Sequence, residues 1–339
     1  MKRLILLMVG LFISLSMFAQ YGTGKRSFTY EFRSLPTYAI AKENRTYFVS
    51  VESNSQISEE IDAERVYNSI DLLGWKKVDN ADDAYLKISV NLDFFTVEDT
   101  GVKTTETTEK SGETTKVVKH HFGKLIYTMP YHVELVSESH NDKFGRSSEN
   151  KIEYLSSEKS SYEAAKTYVK DNKDMLKSKL IKSEVEGIIN SINEKIERDY
   201  AYAPKSEYVW IEFLDSKKSE YYEQQQKAII EIREIFGRIK ADSDIQVAAK
   251  EMQVYIDQYQ GIVDNLNQAD KKQKKAQAAL IESIANMYYA VDNFAMAKQY
   301  CETLMKDYEE KSGGKMIGRI DKLLSEMAKH NVKTRHFEL

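Results

Sequence analysis

Through the first part of the chain, apolar residues fall at every second position. In 27–33, Phe28, Tyr30 and Phe32 share one side, and in 45–53 Tyr47, Val49 and Val51 do. The clearest case is DDAYLKISVNLDFF, where Leu86, Ile88, Val90, Leu92 and Phe94 alternate with Lys87, Ser89, Asn91 and Asp93. That period predicts strands with one face wet. KLIYTMPYHVEL continues it through Leu125, Tyr127, Met129, Tyr131, Val133 and Leu135, with Pro130 marking an edge strand or a bulge. Between these strands, residues 96–121 hold almost nothing apolar and predict a long Thr-rich hairpin end or mobile flap.

Helices are expected around this sheet. One starts at Ser58 as N-cap and stops at Gly74, with Ile61, Arg65 or Val66, Ile70 and Leu73 inward. A second, long tract runs from Ser160 to Tyr200 with a break near Asp171–Asn172. Pro204, one of three prolines, marks the domain boundary. Beyond it the spacing changes to three and four. Ile229, Ile232, Phe236 and Ile239 form one stripe, and Ile245, Ala248, Met252, Tyr255, Tyr259, Ile262 and Leu266 form another. The fold class expected is therefore α+β: an antiparallel-sheet domain over 20–204, then an all-α domain of helical hairpins over 205–339.

The stretches GWKKVDNADDAYLKISVNL and YHVELVSES resemble the DUF4136-like α/β domains of exported bacterial envelope proteins. Residues 281–308 resemble one tetratricopeptide repeat. Ile281 and Ile284 take apolar positions of its first helix, Ala285 the small one and Tyr288 the aromatic one. Asp292–Asn293 is the turn; Phe294 opens the second helix, Ala297 is its small residue and Leu304 closes the stripe. Cys301 stands where an aromatic is usual, and no proline follows near Tyr308. The preceding helices, about 217–240 and 243–269, are too long for such a module, so no array is expected. The resemblance implies a protein-binding or a purely structural hairpin.

The first residues, MKRLILLMVGLFISLSMFAQ, have a basic start, an apolar run from Leu4 to Phe18 and a small residue at Ala19. This predicts a signal peptide over 1–19 and export to the periplasm or beyond, with an uncleaved anchor as the alternative. Removing it takes away Lys2 and Arg3 and leaves 47 basic against 53 acidic residues, a formal charge of −6. Such a surface has no global attraction for nucleic acid or anionic lipid. A single cysteine permits no internal disulfide.

Chemistry is sparse. YGTGKRS at 21–27 lacks the spacing of a phosphate loop, and SGGKMIG at 312–318 reads as a flexible link between helices. His120 and His121 point to opposite faces of a strand, and pairing with His132 supplies no third ligand, so neither metal nor cofactor is expected. No G-x-S-x-G elbow occurs, and Cys301 reads as a buried structural thiol. The basic run DKKQKKAQ at 270–277 reads as a wet helix start. Adjacent tyrosines, 221–222 and 288–289, are expected to place one ring inward and one outward. Three functions remain. The first is a non-enzymatic adaptor that holds another envelope protein through its helical domain. The second is a glycan or small-molecule binder using Tyr127, Tyr131 and the flap. A remote third is an unrecognised hydrolase.

Overall fold

The structure, a computed structural model, describes residues 21–111 and 114–339; the expected signal segment, 1–19, lies outside them. Strand β1 (Thr23–Arg33) is followed by β2 (Thr46–Ser53), the short helices α1 (Ser55–Ser58) and α2 (Ala63–Ser69), then β3 (Lys76–Lys77) and β4 (Leu86–Leu92). Strands β5 (Thr96–Ser111), β6 (Thr114–Thr128), β7 (Tyr131–Val136), β8 (Asn141–Arg146) and β9 (Ile152–Lys159) come next. Helices α3 (Tyr162–Asp171) and α4 (Lys173–Tyr200) lead to β10 (Pro204–Leu214). The chain ends with α5 (Tyr222–Arg238), α6 (Ile245–Asn265), α7 (Lys271–Ala290), α8 (Phe294–Asp307) and α9 (Lys311–Lys329). The mixed α+β class is as expected.

Two compact units divide the chain, and the division is not a single cut. One unit is Ile40–Ala201; the other joins the chain up to Ala39 with Tyr202–Leu339. The expected domain 20–204 is therefore corrected at its start: β1 lies antiparallel to β10, with Phe28 opposite Val209. The unit expected to be all-α is corrected with it, because it carries this two-stranded ribbon. The cause is apolar matching. Phe28, Tyr30, Val209, Ile211 and Phe213 fall on one face of the ribbon and bury it against the helices.

In the unit 40–201 the larger sheet has the order β3-β2-β4-β7-β8. Strand β2 runs parallel to β3 and β4, while β7 is antiparallel to β4 and β8. The sheet is thus mixed and not purely antiparallel, since α1 and α2 form a crossover between β2 and β4. Strands β5, β6 and β9 make a separate antiparallel sheet, so 96–121 is hairpin. The run expected as one strand over KLIYTMPYHVEL is two, and the chain changes sheets at Met129–Pro130. A proline there removes no ladder bond, because neither strand needs its N–H.

The helix expected from Ser58 to Gly74 is broken in two, capped by Asn54 and by Asp62. Gly74 does take a left-handed conformation, φ 78°. Leu72 is buried in place of Leu73, and Phe95 in place of Phe94. The break near Asp171–Asn172 is present: Asn172 separates α3 from α4, whose Leu176, Leu180, Val185, Ile188, Ile192 and Ile196 are buried at spacings of three to five. Helix α3 lies so close on β6 that a Cβ at Gly123 would stand 2.4 Å from Val169 Cγ2.

In the other unit, helices α5 and α7 lie against the ribbon, α6 packs on both, α8 on α7 and α9 on α8. Ile229, Ile232, Phe236 and Ile239 are buried as their spacing predicts, and so are Ile245, Met252, Tyr259, Ile262 and Leu266. Phe28 stacks on Phe236 at 5.7 Å between ring centroids. The segment 312–318 is corrected from a link to the first turns of α9. Its Gly313 is needed because a Cβ would come within 2.4 Å of the Cys301 carbonyl oxygen, where α9 crosses α8. Among the described residues no helix is long and apolar enough to cross a membrane.

Candidate functional site

The hairpin of α7 and α8 is present with its turn at Asp292, whose φ of 58° suits an aspartate, and Asn293, whose side chain caps Met296 N–H at 3.3 Å. Ile281, Ile284, Ala285, Tyr288, Phe294, Ala297, Cys301 and Leu304 are all buried. These eight residues therefore build the packing between helices, and two of them, Cys301 and Leu304, also border a cavity. Cys301 is inert, as its thiol is pushed up to about 11, chiefly by burial. Tyr289 is buried along with Tyr288, against the expected in-and-out pairing, because it closes over Arg335.

Arg335 is 1 % exposed. It donates from Nε to Asp292 Oδ1 at 2.7 Å and from Nη2 to the Tyr289 carbonyl at 2.9 Å, while its backbone N–H reaches Asp292 Oδ2 at 2.6 Å. The rings of Phe32, Tyr289 and Phe294 lie within 4.7, 4.7 and 5.3 Å of the guanidinium. Two guanidinium nitrogens converging on Asp292 Oδ1 and the stacked rings suit arginine and not lysine. The final residues thereby pin the hairpin turn to β1. This is a mounting, in which the guanidinium is paired and enclosed.

A groove opens beside that mounting, with a cavity of about 320 Å³. Glu207, Tyr208, Val209 and Trp210 of β10 form one wall, Glu282 and Asn286 of α7 the floor, and α9 from Ser312 to Arg319 the other wall. Tyr208 and Trp210 are 64 % and 44 % exposed, with ring centroids 6.0 Å apart in an edge-on pair. Lys25 sits 5.3 Å over the Trp210 ring and pairs with Glu212 at 3.3 Å. Arg319 pairs with Glu207 and covers Tyr289 at 4.8 Å. Among the described residues Glu282 has no cation within ion-pair distance, and burial raises its carboxyl above the ordinary range, with Lys25 opposing. Exposed aromatics beside a partly desolvated charge are the composition of a binding patch.

The other expected features are dispersed. His120 contacts Glu158 and Thr107 at 2.7 Å each, His121 contacts Thr104 at 2.9 Å, His132 contacts Glu134 at 3.1 Å and His140 contacts Ser139 at 2.7 Å. Among the described residues no three His, Cys, Asp or Glu side chains converge to hold a metal ion. Residues 23–27 of YGTGKRS are strand, and 271–277 begin α7 behind the Asp270 cap. Tyr127, expected to stack on a ligand, is corrected to a core position: it is buried, stacks on Phe95 at 4.8 Å and donates to Glu184 at 2.7 Å. Its neighbour in that reading, Tyr131, lies under the Arg146 guanidinium at 5.7 Å. Sequence reasoning missed Tyr208, Trp210 and Glu282. The alternation of Val209, Ile211 and Phe213 just after Pro204 was the available signal, since it sends the two intervening aromatics to the opposite face.

Compared with protein-family models and with curated protein sequences, the chain matches none.

Proposed function

We propose that this chain is an exported, non-enzymatic binding protein of the cell envelope that holds a protein partner in the groove between β10, α7 and α9. The observation that carries this is the exposed Tyr208–Trp210 pair, which sits on a rigid ribbon beside a cavity and not on a loop. Large aromatic rings left in water on a braced strand lose little entropy when covered, and they anchor interfaces for that reason. The tetratricopeptide-like hairpin serves in this reading as the support behind the groove, its eight characteristic residues spent on packing. The envelope location follows from the expected signal peptide.

The glycan or small-molecule reading loses one of its named residues, because the Tyr127 ring faces the core. The hydrolase reading gains nothing from Cys301, whose thiol burial pushes up to about 11.

The test is a photo-crosslinking amino acid placed at Trp210 in the full chain, exposed to envelope extract, with Val254 as the control position on α6. Val254 is also well exposed. A discrete protein adduct from position 210 and none from 254 is expected. Equal adducts from both, or none from 210 in a folded chain, contradict the proposal.

A further inference from the structure

Among the described residues strand β10 has a strand neighbour on one edge only, β1. Which of its groups face the other edge follows from the bonds already made there. Glu212 N–H donates to Ser283 Oγ at 2.7 Å, Leu214 N–H to Gln225 Oε1 at 3.2 Å, and Asn286 Nδ2 donates to the Trp210 carbonyl at 2.9 Å. Ser283 Oγ also reaches back to the Glu212 carbonyl at 3.2 Å. In an antiparallel pair, backbone groups alternate between edges. The even residues of β10 therefore face outward. From Trp210 onward their groups are largely closed off by side chains of α7 and α5.

Before that point the closure stops. The N–H and C=O of Ser206 and Tyr208 and the N–H of Trp210 point outward with no hydrogen-bond partner among the described residues. An open edge is a hazard, and it is ordinarily guarded by charge, proline or a covering element. This one opens with Pro204 and Lys205 and carries Glu207 tied to Arg319, but from Tyr208 to Trp210 it is flanked by two exposed aromatic side chains and by the groove. On the far side α9 lines the groove with Ser312, Gly313, Lys315, Met316 and Arg319. Inside the groove Arg319 is tied to Glu207 and Lys25 to Glu212, while the half-buried carboxylate of Glu282 and the exposed Lys315 each lack an ion pair among the described residues.

Building on the proposed protein-binding role, we infer that the groove takes an extended segment of a partner polypeptide. The segment adds as a third strand to β10 over Ser206–Trp210 and places a lysine or arginine side chain against Glu282. Main-chain bonds to Ser206, Tyr208 and Trp210 supply sequence-independent affinity, Trp210 and Tyr208 cover the neighbouring side chains, and Glu282 supplies the selectivity. A cavity near 320 Å³ is at the small end for a ligand site and suits one long side chain better than a folded surface.

The experiment is a selection of random displayed heptapeptides on the immobilised full chain, followed by affinity measurements on variants. Enriched peptides are expected to alternate β-branched residues with a basic one. Tyr208→Pro deletes an outward N–H that the ribbon itself does not use, so the edge strand tolerates it. It should weaken binding about tenfold or more, since a peptide carbonyl is left unpaired. Tyr208→Thr, which keeps the N–H, should bind measurably more tightly than the proline variant. Glu282→Gln should abolish the preference for lysine over norleucine at the basic position. If Tyr208→Pro does not fold, N-methylation of alternate peptide amides replaces it and should produce the same loss.

Enrichment of acidic peptides, binding that is indifferent to both Tyr208→Pro and N-methylation, or no enrichment on folded protein each overturn the inference. So does occupancy by a second copy, seen as self-association in sedimentation that Tyr208→Pro abolishes. A crosslinked partner at position 210 that is insensitive to Tyr208→Pro and Glu282→Gln leaves the adaptor role standing and removes only the added strand.

Discussion

Strands β5 and β10 are both edge strands, and they treat the same hazard in opposite ways. The exposed run of β5 from Lys103 to Lys110 is threonine, glutamate and lysine. Its charges are answered in water: Asp99 meets Lys124 at 2.9 Å and Glu106 meets Lys119 at 3.4 Å, with Lys103 paired to Glu153. Charged side chains along an edge penalise a docking strand by desolvation. Strand β10 carries a single charge between Ser206 and Trp210, Glu207, which is tied to Arg319, and a carboxylate without an ion-pair partner lies in the adjoining groove. The difference separates an edge that rejects strands from one that can receive them. It also shows why exposure alone is a poor guide, since β5 is the more exposed of the two.

The largest expected effect comes from removing what holds each edge. A fragment beginning at Lys205 keeps β10 but loses β1, and with it the buried Phe28 and Tyr30. Two core aromatics at about 3–5 kcal/mol each are comparable to the whole stability of a domain, about 5–15 kcal/mol. That fragment should show no cooperative thermal transition by circular dichroism. Replacing arm residues 104–120 of the β5–β6 hairpin by a short turn should leave the melting of the unit containing β10 unchanged. A cooperative melt of the short fragment would contradict the ribbon's place in that core.

Next comes the mounting of the ribbon. Arg335→Ala leaves Asp292, 4 % exposed in its side chain, as a buried charge without its cation. The expected loss is about 3–5 kcal/mol by chemical denaturation. Lys103→Ala on β5 removes a partner that water replaces, and its effect should fall within measurement error. Equal effects of the two substitutions would erase the contrast between a braced strand and an unbraced one.

Much of this was legible in the sequence where contacts are local. Spacings of three and four marked Ile229 to Ile239 and Ile245 to Leu266, and the Asp292–Asn293 turn stood between two such runs. Alternation marked β2 and β4 for the same reason. The pairing of β1 with β10 was hidden because a helix or strand period says nothing about a partner far away in the chain, and Pro204 reads as a breaker until the strand behind it is seen. The glycines of 312–318 misled in a similar way. Flexibility is one use of glycine, and close approach of two helices, as at Gly313 and Cys301, is another. Glu282 was illegible since a glutamate on a helix is ordinarily solvated, and only the fold encloses it.

The smallest expected effect concerns that carboxyl. Burial raises Glu282 above its ordinary value of about 4.5, so between that value and the raised one the folded chain binds more protons than the unfolded chain. Its contribution is therefore full below about 4.5 and is lost as pH rises through the folded value. Glu282→Gln should match the parent chain in acid and equal or exceed its stability at pH 8, followed by urea midpoints. A variant less stable than the parent at pH 8 would mean that Glu282 serves the fold. The acids of β5, solvated and paired, should give no such gain.

Amide hydrogen exchange along β10, residue by residue by NMR, with and without a selected basic peptide, tests the open edge most directly. The account predicts fast exchange at Ser206, Tyr208 and Trp210 in the free chain, slow exchange at Glu212 and Leu214, and new protection at the first three when peptide is bound. Amides at 208 and 210 that are already as protected as 212 in the free chain, or that stay fast in the complex, would contradict it.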